Sequence, residues 1–363
     1  MRSLCKAENI ATAELLAESS AVAGTQVLSE LAVVEQPPGL HELVVTPAAL
    51  GRTNALRVSR CVTPDMASGV VAGLVGNRFF ACNGFAAVWR AKGGLPVGWA
   101  IEDRNGTAAV LPGVEFGVGF LCRFMSMPDG CYGGISFTPE ARRNREQIAQ
   151  LLLDAIVRRR YLKTYIFDFY GTVPADPRFS SVMCATTLVD ISDKGWRPPD
   201  KKLLSQIRKA ERQNITVETF DWKRHGVGFM NLVRTTSRRH GGAPRYSGEF
   251  FRALAELAER DERIHWLWCE YGGRPVCSHI YFIENLVLQG WQIYYDKAFS
   301  FLKANQYIRF MMCREMAKLG ITRLNLGETP EGAAGLAYYK HRWGGEPFYY
   351  NCHVLKKGLG RFL

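Results

Sequence analysis

The chain is 363 residues long, 47% apolar and 22% charged, and its 46 Lys and Arg outnumber its 34 Asp and Glu, giving a formal net charge of +12. That length points to two domains, the composition is that of a folded globular protein, and no run approaches the roughly 20 apolar residues that a membrane-spanning helix needs. Glu8, Glu14 and Glu18 interrupt the stretch where a signal peptide would carry its apolar core, so a cytoplasmic protein is expected. Ten cysteines are scattered without a C-x-x-C pair or a Cys/His cluster, which argues against a metal site. The excess positive charge either keeps the protein soluble or attracts an anion: RNA, a phosphorylated substrate, an acyl-carrier protein or an anionic lipid surface.

Residues 1–50 read as an arm or lead-in, with a helix over Ala11–Ala23 and then Pro37, Pro38, Gly39 and Pro47 breaking regular structure. An internal repeat organises the rest of the chain. Phe85–Trp89 is expected as a strand, Gly93-Gly94 as a turn and Pro96–Ile101 as a second strand. Ile264–Cys269, Gly272-Gly273 and Pro275–Phe282 repeat that order, Gly-Gly-Leu-Pro-Val being matched by Gly-Gly-Arg-Pro-Val. Each hairpin is followed by an apolar run, Phe116–Phe124 and Leu286–Tyr295. Helical spacing then appears at Ile148, Leu151, Leu152 and Ile156, and again at Ile308, Met311, Met312 and Met316. A strand closes each copy on glycine, Tyr161–Tyr170 at Gly171 and Ile321–Leu326 at Gly327. The first copy is longer, with an insertion placed around Pro112–Ser136. Between the copies, Gly171–Pro177 and Trp196–Asp200 are turn-rich, Lys201–Gln213 is a helix with Asp200 as its cap, Ile215–Phe220 a strand and Phe250–Ala258 a helix. The expectation is an α+β fold with domains at 51–178 and 179–363, each a mixed, mostly antiparallel sheet flanked by helices.

The helix at Leu204–Gln213 leads into a strand, and a long strand later ends in Tyr294-Tyr295-Asp296. After a helix and a strand ending in Asn325-Leu326-Gly327 comes Tyr338-Tyr339-Lys340-His341-Arg342-Trp343-Gly344-Gly345, and the first half holds Met127-Pro128-Asp129-Gly130-Cys131-Tyr132-Gly133-Gly134. This ordered set, over roughly residues 55–350, resembles the Fem-type aminoacyltransferases and their BioF2-like relatives. The resemblance implies two GNAT-fold domains in tandem and amide-bond formation. An acyl or aminoacyl group would move from a donor, aminoacyl-tRNA in Fem-type members, onto an amine of a cell-envelope precursor or natural product. It implies no tightly bound cofactor. tRNA or an acyl-carrier protein would be the partner, with peripheral membrane contact and a phosphorylated acceptor compatible with the charge.

Lys340 in Tyr339-Lys340-His341-Arg342-Trp343-Gly344 fits the lysine that lies near the reacting groups in Fem-type enzymes, where a fixed cation would stabilise the oxyanion of the transition state. Tyr339 and Trp343 flank it. Asp296, at the end of its strand, orients an ammonium and takes its proton, or caps the next turn. His279 is a general base or a structural histidine. Arg208 and Arg212, four apart on a helix, and Arg238 and His240 in a basic loop are candidates for holding an anionic substrate, or are solvated faces. Tyr132, before Gly133-Gly134, and Trp291 complete the binding candidates. One departure counts against acetyl-CoA as donor. The glycine-bearing pyrophosphate loop of simple GNAT enzymes is replaced by Phe299–Asn305, which has no glycine, and by Phe137-Thr138-Pro139 in the first copy. An acyl thioester is therefore the second donor, and a non-catalytic RNA-binding scaffold on the same fold the reading from another class. Lys340→Ala is expected to lower turnover by orders of magnitude in a steady-state assay, and near-normal turnover removes this lysine from the chemistry.

Overall fold

The computed structural model describes residues 56–62 and 78–356, so the helix expected at Ala11–Ala23 lies outside the described residues. Among the described residues thirteen strands form one sheet, and two blocks of five strands repeat within it. The first block is β1 (Arg57–Val62), β2 (Gly94–Asp103), β3 (Gly106–Phe116), β4 (Arg123–Ser126) and β6 (Lys163–Asp168), with the short β5 (Ser136–Phe137) pairing off to the side of β3. The second is β8 (Ile215–Thr219), β9 (Ile264–Tyr271), β10 (Arg274–Glu284), β11 (Val287–Tyr295) and β12 (Arg323–Asn325). In both, four antiparallel strands end on a fifth that runs parallel to the fourth. A parallel partner needs a crossover. α2 (Arg145–Arg159) supplies it in the first block and α6 (Ala304–Lys318) in the second.

The blocks exchange their last strands. β7 (Ser180–Asp190), which follows β6 in sequence, pairs with β12 of the second block. β13 (Gly345–Lys356), which follows β12, pairs with β6 of the first. The two then pair with each other in an antiparallel ladder from Gly345 opposite Val189 to Val354 opposite Ser180.

The remaining helices are α1 (Asn83–Val88), α3 (Lys201–Glu211), α4 (Trp222–Arg239), α5 (Gly248–Ala258) and α7 (Ala334–His341). Three start on side-chain caps: Asp200 accepts from the Leu203 N–H, Asp221 from Arg224 and Ser247 from Phe250. In α2, Ile148, Leu152 and Ile156 bury against Trp99, Leu111, Phe124 and Ile166. In α6, Met312 and Met316 join Tyr281, Leu288 and Leu324. The largest core cluster spans both halves, with Phe79 stacked on Phe282 at 4.7 Å and Trp89 edge-on to Phe250 at 5.2 Å.

Several local expectations are corrected. Phe85–Trp89 is not a strand: it lies in α1 and the 3-10 turn Trp89–Lys92. Phe85, Val88 and Trp89 recur at three- and four-residue spacing and bury together, a helical face in a run too short to separate from a strand by composition. Gly93 (φ 73°) ends that turn rather than making a hairpin. The first-copy hairpin is β2–β3, turning at Arg104-Asn105, where Asp103 accepts from the Asn105 N–H at 2.7 Å. Phe116–Phe124 is likewise not one strand, since β3 ends at Phe116 and β4 starts at Arg123. The extra length expected around Pro112–Ser136 falls in the β3–β4 turn and in the connection from β4 to α2, which runs past Ser136 to residue 144.

A buried ion pair ties the halves together. Arg78 Nε approaches Glu284 at 3.4 Å, and Glu284 also accepts from the Phe80 N–H at 2.9 Å and the Tyr170 hydroxyl at 2.8 Å. Arg78 donates further to Gly133 O and to Ser136 Oγ. Burial pushes the Glu284 carboxyl above its ordinary range, against the pull of Arg78. Removing one partner leaves the other charge buried, so Arg78→Met is expected to lower unfolding free energy by about 3 kcal/mol. Arg78→Met/Glu284→Leu should cost less than the sum of its single variants in a denaturation cycle.

Candidate active site

β11 keeps β12 beside it only from Val287 to Gln289, because β12 ends at Asn325. The two strands are tight just before they part, since a Cβ on Gly290 would lie 3.2 Å from Asn325 O. A bulge follows between Ile280 and Tyr281 of β10. Beyond it a cleft of about 390 Å³ opens between the ends of β10 and β11 and the helices α6 and α7. Asp296, Lys303, Asn305, Arg309 and Tyr339 are among its walls.

The floor of this cleft is the start of α6. Lys303 precedes the helix in the left-handed region (φ 58°), and no side chain caps it. The first turn of a helix carries its positive dipole end; here the Gln306 N–H already donates to Lys303 O at 3.1 Å, and the N–H groups of Ala304 and Asn305 precede it. Arg309, one and a half turns in, is buried. Its Nη1 donates to the Tyr339 hydroxyl at 2.7 Å, its guanidinium lies 5.4 Å from the Tyr339 ring centroid, and its Nε has no hydrogen-bond partner. Arg309 is among the residues that line the cleft, where its charge favours an anion.

His279 stands behind the wall. It is fully buried, with Nδ1 2.8 Å from the Tyr281 hydroxyl and Nε2 2.9 Å from Asn305 Oδ1. An Asn Oδ1 only accepts, so Nε2 carries the hydrogen and Nδ1 accepts from Tyr281. Burial lowers its pKa to about 3. An imidazole that hard to protonate is a weak base. Its hydrogen bond instead fixes Oδ1 of Asn305 inward, which turns the Asn305 NH₂ the other way.

Lys340 ends α7 next to Tyr339, yet its side chain leaves the cleft. Nζ donates to Gly327 O and Glu328 O, both at 2.7 Å, pinning the loop that follows β12. Burial, then the Arg309 charge, lower its pKa to about 8. Asp296 caps its own turn, accepting from the Ala298 N–H at 2.9 Å, and remains a cleft residue. Thus Asp296 and Tyr339 share the cleft, with His279 and Lys340 bracing it from behind.

The other candidates lie elsewhere. Trp343 is fully buried, 6.2 Å from Trp196. Trp291 belongs to the core between the halves and donates to Asp129 O at 3.1 Å. Tyr132 is a strut: it stacks on Phe169, its oxygen accepts from Asn325 Nδ2 at 2.7 Å, and its pKa is pushed up to about 12 by burial. The glycines after it are occupied by the fold, the Gly133 N–H donating to Phe167 O and the Gly134 N–H to Ser126 Oγ. Arg208 and Arg212 sit at the exposed end of α3, and Arg238 and His240 are exposed at the end of α4. Their neighbour Arg239 reaches the cleft rim, donating to Tyr295 O at 3.2 Å. Arg309 and Asn305 are site residues that the sequence reading misses. A signal for Arg309 exists: an arginine inside Tyr307-Ile308-Arg309-Phe310-Met311-Met312, a run otherwise apolar and aromatic. Among the described residues no group of three or more His, Cys, Asp and Glu is placed to hold a metal ion, and no helix is long and apolar enough to cross a membrane.

Residues 200–341, which hold this cleft, match the family described as acetyltransferase (GNAT) domain. No curated protein matches the chain. Among solved structures, FemX is 11% identical and superposes with a TM-score of 0.56 over 75% of this chain and 91% of that one. A conserved protein of unknown function from Bacteroides thetaiotaomicron is 14% identical, with a TM-score of 0.53 over 80% of this chain and 96% of that one.

The pKa shift of Lys340 carries a sign. Its folded value lies below the ordinary 10.5, so the unfolded chain binds more protons between about pH 8 and 10.5 and stability should rise with pH across that window. Lys340→Met should abolish that rise, read as melting temperature against pH for both proteins. His279→Ala should lower kcat without moving the pH–rate profile, whereas loss of an inflection near neutrality would restore the histidine as a base.

Proposed function

We propose that this chain, whose residues 200–341 match an acetyltransferase (GNAT) domain and whose fold superposes on FemX, forms amide bonds by moving an acyl or aminoacyl group from a phosphate-bearing carrier onto an amine of a cell-envelope precursor or natural product. Aminoacyl-tRNA is the favoured donor. The observation that supports this reading is the uncapped start of α6 with Lys303, Asn305 and Arg309 along the cleft beside it. An anionic carrier fits helix N–H groups and cations there. The amine nitrogen attacks the carbonyl carbon of the ester, and negative charge develops on its oxygen. The Asn305 NH₂ and Arg309, both in the cleft wall, would receive it. The ammonium proton passes to Asp296, the carbon–oxygen bond to the carrier breaks as the Tyr339 hydroxyl protonates the leaving oxygen, and the proton held on Asp296 returns through solvent to the Tyr339 phenolate. Lys340 holds the loop beneath.

A thioester of coenzyme A is the second reading, and the acetyltransferase description of residues 200–341 favours it. Against it stands the absence of glycine from Phe299–Asn305. Incubating the protein with candidate amines and, in parallel, charged tRNA, acetyl-CoA and acyl-carrier protein, with mass spectrometry of the product, separates the two. Ribonuclease-sensitive product is expected. Product from acetyl-CoA alone would replace the favoured donor. Lys303→Glu should raise the KM for the donor about tenfold with a smaller change in kcat, through loss of a phosphate contact.

A further inference from the structure

The turn between β3 and β4 sends three large apolar side chains into solvent: Val118, Phe120 and Leu121 are 82%, 75% and 53% exposed. The turn is built rather than loose. The Leu121 N–H donates to Val118 O and the Cys122 N–H to Gly119 O. Gly117 (φ 85°) and Gly119 (φ 56°) take left-handed conformations, and a Cβ on Gly117 would lie 2.9 Å from Leu121 O. A backbone so specified holds apolar tips outward, where a contiguous apolar patch marks an interaction site.

Cations lie on the strands and the helix end next to the turn. Arg123, directly after the turn, stands opposite Lys163 of β6, which stands opposite Lys356 of β13. Residues in register share a face of a sheet, so the three form one row. The Leu162 N–H donates to Cys122 O at 2.8 Å and ties the turn to the end of α2, where Arg158, Arg159 and Arg160 are exposed. Glu115, the acidic residue of β3, is buried and held by Arg60 and Tyr161.

We propose that the Val118–Leu121 turn docks the protein on an anionic lipid bilayer, its apolar tips entering the acyl boundary while the Arg and Lys side chains bind lipid phosphates. A convex four-residue tip offers no groove and too little area for a folded partner, whose interfaces take about 800 Å² per side. Apolar tips with cations next to them fit a fluid, negatively charged interface.

The test is co-sedimentation of the full chain with vesicles of phosphatidylcholine alone and of phosphatidylcholine with phosphatidylglycerol. Binding to the anionic vesicles, weakened by salt, is expected. Phe120→Asp/Leu121→Asp should weaken it about tenfold or more through lost apolar insertion. Arg158→Glu/Arg159→Glu should weaken it at low salt and have little effect at high salt. These side chains are exposed, so melting temperatures should not change. Phe120→Trp supplies a direct reading, its emission shifting to the blue on anionic vesicles. Vesicle binding that survives Phe120→Asp/Leu121→Asp, an unshifted tryptophan on saturating vesicles, or self-association of the chain abolished by Phe120→Asp would each overturn the proposal.

Discussion

The ladder between β7 and β13 is the constraint on which the molecule rests. Each block of five strands stops one strand short, and the missing strand comes from the other block. An unfilled edge would leave a row of unpaired N–H and C=O groups beside β6 and another beside β12. The exchange fills both and makes one sheet of two repeats. It also fixes the cleft. β7 holds β12 at Arg323–Asn325 on one side while β11 holds it on the other, so β12 is anchored where β11 leaves it. Asn325 is the knot of that anchorage, accepting from Thr186 Oγ1 of β7 and the Gly327 N–H while donating to Tyr132 of the first half.

Polar groups brace the cleft in layers. Tyr281 and His279 are sealed from solvent and set the direction of Asn305; Arg309 and Tyr339 set one another; Lys340 holds the loop below. In a buried environment each such bond is stronger than in water, and each unmade one costs more. Two such bonds are left unmade side by side, at Arg309 Nε and at the Nε1 of Trp343, whose ring centroid lies 5.5 Å from the Arg309 guanidinium.

The second half was the more legible in the sequence. Gly272-Gly273 between two β-rich runs gives the β9–β10 hairpin, and Asp200 before Lys201 marks the start of α3. The first half misled because Gly93-Gly94 repeats the same letters in another role, with helix before it instead of strand. The exchange of β7 and β13 is not legible in the sequence: neither segment belongs to the repeat, and pairing across more than 150 positions is decided by tertiary contacts. Side-chain direction was hidden for the same reason. Tyr339 and Lys340 are adjacent on α7, and a helix turns successive residues by about 100°, so the tyrosine meets the cleft while the lysine meets the loop.

The start of α6 differs in kind from a glycine-built anion cradle. Backbone amides are present whatever the residue, so a cradle made of them is hard to retune by point substitution. Lys303, Asn305 and Arg309 put side chains in that place. If the proposed donor binds there, its selectivity is held in replaceable parts, and such a site can be retuned one codon at a time without disturbing the sheet.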